Sequence, residues 1–463
     1  MTIDHSYFQN HKLLIVSAAV LLLTPLVPEY IALPMTLFLF LWFKQQSKKN
    51  NEKVLLGDTG KVIFCFMVYQ LITLLWANNK LYTLAISMMW MGTFLAYLML
   101  ANGVKSEEIL DRFLFLAALS DGIMGLIASI QSILYGWLPK TNLIIFGENI
   151  ALNELPNPFW RILDRLVLGF LPIQILPYED PSRAASTYNN PLVYASVAVM
   201  LLPLALYCAY SMKGKYRLTS ILCIFLSVSG VILSKSRAAC LALIVVMFFS
   251  FLFGLKKWIG LLLCCSPFIA VFANRYLRDF LISFIGDDST NTRIKIWQSS
   301  FAMIKENWVL GLGTGVQNIW DVLYNQYGIN QPHAHNIFLE FILESGIIGL
   351  LLFITFLGFF IYDMIRLFRT SPKGRLLASS FIVGVTAFCF CGMFDFVFMS
   401  PKQLLSFMML FGLAQASLRI LSTKENEKPP MVISETFEKK EVVMQNKKRR
   451  ITDAFLYADI SFT

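Results

Sequence analysis

Long apolar runs recur from one end of this chain to the other, and no other feature limits its fold as strongly. Twelve can be marked, near 13–27, 30–43, 60–76, 81–101, 113–137, 191–210, 218–234, 238–255, 258–273, 336–362, 376–394 and 403–421. Most are continuous and long enough to cross a bilayer as helices, whereas barrel strands would be alternating segments of roughly 9–11 residues. Only 15% of the residues are charged and 57% are hydrophobic, against about a quarter charged in soluble domains. The expectation is an all-α, polytopic membrane protein with about 12 transmembrane helices. The first two runs are short and share Pro28, which suits a tight hairpin or a tilted pair. The N-terminus lacks a small-residue cleavage pattern, so the first run is expected to remain as a span.

The net charge of +10 does not indicate nucleic acid, because much of the Lys and Arg lies in short links between apolar runs. Lys44/Lys48/Lys49/Lys53, Lys213/Lys215/Arg217, Lys256/Lys257 and Arg366/Arg369/Lys373/Arg375 fall on one side if every run is a span. The positive-inside rule makes that side cytoplasmic, with both termini there. The expected divisions are 1–137 (spans 1–5), 138–190 (an extracytoplasmic loop) and 191–273 (spans 6–9). A large extracytoplasmic loop, 274–335, then lies between spans 9 and 10, followed by 336–421 (spans 10–12) and a cytoplasmic tail, 422–463. The eight cysteines lie in or beside apolar runs and lack metal-ligand spacing, so they read as small buried hydrophobes.

Both long outer segments carry structure signals. Within 138–190, Arg161, Asp164 and Arg165 among apolar residues suit an interfacial helix. In the second, Arg293 to Asn307 reads as an amphipathic helix with Trp297, Phe301, Ile304 and Trp308 recurring at helical spacing. The run GLGTG, 311–315, reads as a turn closing that helix; no strand precedes it, so it is not a dinucleotide fingerprint.

Ionisable groups concentrate at the outer mouths of the spans. The stretch QPHAHNIFLEFILESGIIGL, 331–350, carries His333 and His335 into an apolar run bearing Glu340 and Glu344, with Gly346 and Gly349 behind. Charged groups are costly near lipid, so such a cluster suggests a site. Arg183 precedes the sixth run, Arg237 sits in the short link SKSRAAC, and Arg293 opens the loop helix. A guanidinium offers a fixed fork of donors suited to phosphate oxygens. Each arginine alone could be contacting headgroups; three together with a histidine are better explained by a diphosphate-bearing lipid substrate.

Four segments, in chain order, resemble the O-antigen ligase/polymerase superfamily of bacterial membrane glycosyltransferases. They are SRAASTYNNPLVYAS (182–196), LSKSRAACLAL (233–243), TRIKIWQSSFAMIKENWVLGLGTGVQ (292–317) and HNIFLEFILESGIIGL (335–350). The first departs from the family in reading Asn-Asn-Pro-Leu-Val where Asn-Pro-Asn is common. The resemblance implies transfer of a glycan from an undecaprenyl-diphosphate carrier to an acceptor hydroxyl, a glycan or a lipid acceptor, on the outer face of the inner membrane. It implies no nucleotide sugar, no metal and no cofactor. Partners would be the lipid-linked donor, the acceptor, membrane lipids, and flippase or chain-length regulator proteins, with no nucleic acid.

On that resemblance His335 is the expected catalytic base, Arg237 and Arg293 bind the diphosphate, and Arg183 supports them. Asn336, Glu340, Glu344 and Asp395 are supporting residues. The two glutamates are expected to bond neighbouring helices or loops, and Asp395 to pair with one of the arginines. Gly346 and Gly349 are expected to permit close helix packing. Attack opposite the diphosphate would invert the anomeric centre. Ligase and polymerase share this donor and differ in acceptor, and transfer to a protein hydroxyl is a third variant. A solute transporter is the alternative of a different class; it would be expected to show midplane polar groups on broken helices and inverted repeats.

Overall fold

The computed structural model describes residues 12, 15–27, 29–137, 142–145, 148–151, 183–188, 190–253, 288–398 and 400–426. The chain divides into Met1–Leu421, which holds everything discussed below, and Ser422–Thr463, of which only the end of the last helix is described. After an apolar helix at Ile15–Leu26 come α1 (Glu29–Lys49), α2 (Gly57–Ile72), α3 (Lys80–Gly103) and α4 (Glu107–Trp137). A short antiparallel hairpin, β1 (Asn142–Ile145) with β2 (Glu148–Ala151), is the one non-helical element among the described residues. There follow α5 (Pro191–Ser211), α6 (Gly214–Leu233), α7 (Arg237–Phe253), α8 (Asp288–Asn307), α9 (Val316–Tyr327), α10 (Ile337–Thr370), α11 (Pro372–Gly392) and α12 (Pro401–Asn426).

Eight of these are long and apolar enough to cross a membrane: α2 with its 3-10 extension, α3, α4, α5, α6, α10, α11 and α12. Of the twelve expected spans, 13–27 and 238–255 correspond to the shorter apolar helices Ile15–Leu26 and Arg237–Phe248. The run 30–43 lies within α1, which is not among the eight. The run 258–273, the interfacial helix around Arg161 and most of the tail lie outside the described residues.

Helix boundaries follow local chemistry. Asn79, Asn190, Asn336 and Ser371 each accept a hydrogen bond from a backbone N–H of the turn they open, supplying a partner that the first turn otherwise lacks. Pro191 and Pro372 occupy first-turn positions, where a missing N–H costs nothing. Helices α5 and α12 are the most enclosed of the spanning set. Helix α5 packs against α4, α6, α7 and α11, while α10 packs against α2 and α11. Phe341, Phe353, Phe356, Phe398, Phe407 and Phe411 interlock in the core beside α10 and α12.

The amphipathic helix expected at 293–307 is present as α8, but its buried face is displaced by about one residue. Ile296, Ser300 and Met303 are buried, whereas Phe301 and Trp308 are exposed. The GLGTG turn also does more than close a helix. It links α8 to α9, with Gly315 as the N-cap of α9.

Gly346 differs most from expectation. Instead of offering a smooth packing face, it takes φ +64° and ψ −169° and breaks α10. The interrupted backbone ladder is filled from the α8–α9 link: Leu312 and Gly313 donate to the carbonyls of Leu343 and Glu344 at 2.7 and 2.8 Å, and Ile347 donates to the Trp308 carbonyl at 2.7 Å. Two glycines make this approach possible. A Cβ on Gly346 would collide with the Val309 carbonyl, and one on Gly311 would lie 2.6 Å from the Glu344 and Gly346 backbone. At Gly349 a Cβ would meet the Ser345 side chain of the same helix first, with the Tyr69 ring of α2 at 3.4 Å.

Gly346→Ala is therefore expected to cost more than about 2 kcal/mol, from the left-handed backbone and the collision together. The melting temperature of the detergent-solubilised protein should drop markedly. Gly358→Ala, on the same helix with open space around it, should leave that temperature unchanged or slightly raised. Equal behaviour of the two variants would contradict the interlock.

Candidate active site

The turn entering α10 is held from every side. Asn336 caps the helix through its Oδ1, which accepts from Phe338 and Leu339, and its Nδ2 donates to the Met393 carbonyl at 3.0 Å. The Ala334 N–H donates to Glu340 Oε2 at 2.6 Å, and the Ala334 carbonyl accepts from Trp297 Nε1 at 3.0 Å. His335 then adopts φ +49°. That conformation costs a non-glycine residue about 1–2 kcal/mol, so the surroundings must hold it.

This turn brings His335 to the link between α11 and α12. His335 Nδ1 lies 3.0 Å from Asp395 Oδ1, which also accepts from the Phe396 N–H at 2.9 Å. Asp395 thus bonds the histidine and not an arginine as expected. The reason is geometric: Asn336 ties the start of α10 to Met393, two residues before the carboxylate. His333 completes the group, its Nε2 3.9 Å from the same Asp395 oxygen and its ring centre 4.1 Å from that of His335.

Electrostatics assign the protons. Burial drives the Asp395 carboxyl upward, but the His335 hydrogen bond and the two imidazoles outweigh it, and Asp395 sits below the usual carboxylate range. An ionised carboxylate only accepts, so the His335 Nδ1 that faces it carries a proton. Burial pushes His333 down to about 4; Asp395 opposes that shift, while His335 and Arg293 add to it. His333 Nδ1 accepts the His335 backbone N–H at 3.3 Å, which puts the proton of this neutral ring on Nε2.

Beside the dyad lies a cavity of about 530 Å³ whose wall includes Arg183, Lys235, Arg237, Arg293, Trp297 and Asp395. The three expected arginines come from the segment before α5, the first residue of α7 and the second turn of α8, yet they line one space. Arg183 is pinned to the end of α6, its Nε donating to the Ser234 carbonyl at 3.0 Å while the Ala184 N–H bonds the Leu233 carbonyl. Among the described residues, four cations and one carboxylate line the cavity, with Phe394 and Phe396 as apolar wall.

Of the two expected supporting glutamates, one bonds neighbouring backbone. Glu340 holds the Ala334 N–H, and Glu344 is buried. Sequence reasoning missed Lys235, whose signal was its position two residues before Arg237 in SKSR. Trp297 was read only as an apolar position, and nothing in the sequence linked it to Ala334.

His333, His335 and Asp395 could also hold a metal ion, since one ligand atom from each lies within 4.8 Å of the others.

Residues 222–354 match the family model described as O-antigen ligase, a stretch holding Arg237, Arg293, Trp297, His335 and both glutamates. The match supports the O-antigen ligase/polymerase superfamily. No curated protein matches the chain.

Because His333 is held neutral below its ordinary value of 6.5, the unfolded chain binds its proton first as pH falls. Its contribution to stability is complete above 6.5 and lost as pH falls toward about 4. The melting temperature should fall across that window, and His333→Asn should flatten the fall. An equal slope in the variant would contradict the buried neutral imidazole.

Proposed function

We propose that this member of the O-antigen ligase/polymerase superfamily transfers a glycan from an undecaprenyl-diphosphate carrier to an acceptor hydroxyl. The reaction would take place at the extracytoplasmic face of the cytoplasmic membrane, in cell-surface polysaccharide biosynthesis. The observation that carries this reading is the convergence of Arg183, Arg237 and Arg293 on one cavity whose wall includes Asp395, the carboxylate bonded to His335.

The chemistry follows from those groups. The guanidinium groups receive the diphosphate oxygens of the donor, and Lys235 adds a fourth positive charge. The acceptor oxygen attacks the anomeric carbon, and its proton passes to His335 Nε2 as the new bond forms. The anomeric C–O bond breaks and its electron pair leaves on the lipid diphosphate, where fixed cations stabilise the developing charge. Asp395 keeps His335 in the required tautomer and stabilises the imidazolium, as a buried carboxylate does for a catalytic histidine. Attack from the side opposite the diphosphate inverts the anomeric centre. No step requires a metal or a nucleotide.

The decisive experiment is the glycan profile of a deletion strain complemented with wild type or variants. Single repeat units in the deletion strain, restored to long chains by wild type, would make the protein a polymerase. Full-length polymer accumulating on the carrier would make it a ligase. An unchanged profile would overturn the transferase reading.

His335→Ala should reduce transfer about 10²- to 10⁴-fold, the range for losing a general base, at unchanged membrane level. Arg237→Lys should also transfer poorly, because an ammonium lacks the guanidinium fork; wild-type activity would reduce Arg237 to a headgroup contact. Chelators should leave the purified enzyme's rate unchanged. A strict divalent requirement would instead point to a metal on His333, His335 and Asp395.

A further inference from the structure

We infer that Trp297 and Glu340 are positioning residues that clamp the two polar groups of Ala334 and thereby aim the His335 imidazole. The inference rests on the proposed role of His335 as the base and adds residues to which that role assigns nothing.

Three observations carry it. First, Ala334 is fully buried, and both its backbone groups are held by side chains rather than by secondary structure: the N–H by Glu340 and the C=O by Trp297. Second, the residue that follows has the left-handed backbone of His335. An imidazole on such a backbone points where the preceding peptide directs it, and here that direction meets Asp395 at 3.0 Å. Third, Glu340 is fully buried with its Oε1 unpartnered. Burying a carboxyl group with half its acceptors unsatisfied is costly, and its one described hydrogen bond is the bond to Ala334.

The clamp also joins the two halves of the site. Glu340 lies one turn inside α10, whereas Trp297 belongs to α8, four residues after Arg293 and on the same face. Arg293 and Trp297 both line the cavity. The helix that presents a guanidinium to the donor therefore also supplies the hydrogen bond that sets the base. Loss of the indole N–H frees the Ala334 carbonyl and lets His335 turn from Asp395, without removing any cation.

The test uses the full-length protein in detergent, with undecaprenyl-diphosphate-linked glycan as donor. Trp297→Phe keeps an aromatic wall and deletes the donor N–H. Expected is a kcat lowered about 10- to 100-fold, the scale of an ångström-level misplacement, with the donor KM within about twofold of wild type. Glu340→Ala should lose kcat likewise, and Glu340→Gln, which keeps an amide oxygen for the Ala334 N–H, should recover most of it. A raised KM at unchanged kcat would make Trp297 a donor contact only and overturn the clamp. So would a Glu340→Gln variant as poor as Glu340→Ala.

A second measurement needs no turnover: the rate at which diethyl pyrocarbonate modifies His335, followed by peptide mass. Trp297→Phe should speed it several-fold, and an unchanged rate would overturn the inference. If wild type transfers no glycan, the transferase reading fails, while this labelling result still decides the clamp.

Discussion

The site depends on one interruption of backbone hydrogen bonding. At Gly346 the α10 ladder stops, and in a membrane-embedded helix the freed carbonyl and amide groups must find partners within the protein. They find them in the α8–α9 link, through Leu312, Gly313 and the Trp308 carbonyl. These three bonds fasten the loop to the short first segment of α10, and with it α8, which carries Arg293 and Trp297. A continuous α10 would leave α8 without this anchor. The threonine cluster beside it extends the seam: Thr314 bonds Thr73 and Thr83, and Asn318 bonds the Asn79 N–H and Thr83, tying the same link to α2 and α3.

Once that seam is set, the remaining groups divide into two tasks. Among the described residues the cavity wall holds four cations and one carboxylate, and that carboxylate bonds the imidazole. In the proposed reaction these cations line the space where an anionic leaving group would form, and Asp395 lies where an imidazolium would form. On the proposed reading, the pairing of Asp395 with His335 is what separates these tasks. An Asp395–Arg237 ion pair would weaken both, by neutralising a phosphate ligand and by freeing the histidine to take either tautomer.

Much of this was legible in the sequence, for identifiable reasons. Apolar runs report spanning helices because the lipid-crossing length is fixed, and Arg183, Arg237, Arg293 and His335 stood out as polar groups bordering those runs. What escaped were features decided by tertiary approach. The Asp395 partner depended on the Asn336–Met393 tie across 57 residues. Trp297 looked like one more apolar position because its indole N–H reaches a backbone carbonyl, which no side-chain pattern records. Gly346 resembled a packing glycine, since a helix break and a close helix crossing call for the same residue. The α8 stripe was misjudged by one position because Phe301 and Trp308, two large aromatics of the set, remain exposed.

The backbone itself marks the site independently of charge. Among the described residues four non-glycine positions have positive φ: Asn51, Ser186, Lys235 and His335. Three of these four belong to the segments that carry Arg183, Arg237 and the base. Each costs about 1–2 kcal/mol for an L-residue, and each is held by its own local bonds. Gln131 bonds Ser186 on both sides, accepting from the Ala185 and Ser186 N–H groups and donating to the Ser186 carbonyl. The Lys235 N–H bonds the Ile232 carbonyl, while Ser234 Oγ accepts from the next residue, Ser236. Glu340 and Trp297 hold the peptide that precedes His335. Strain of this kind persists only where the surroundings over-determine it. Two of the three segments bring Arg183 and Arg237 to the wall of one cavity, and the third holds His335 against Asp395 in that wall; relaxed links would let these side chains drift.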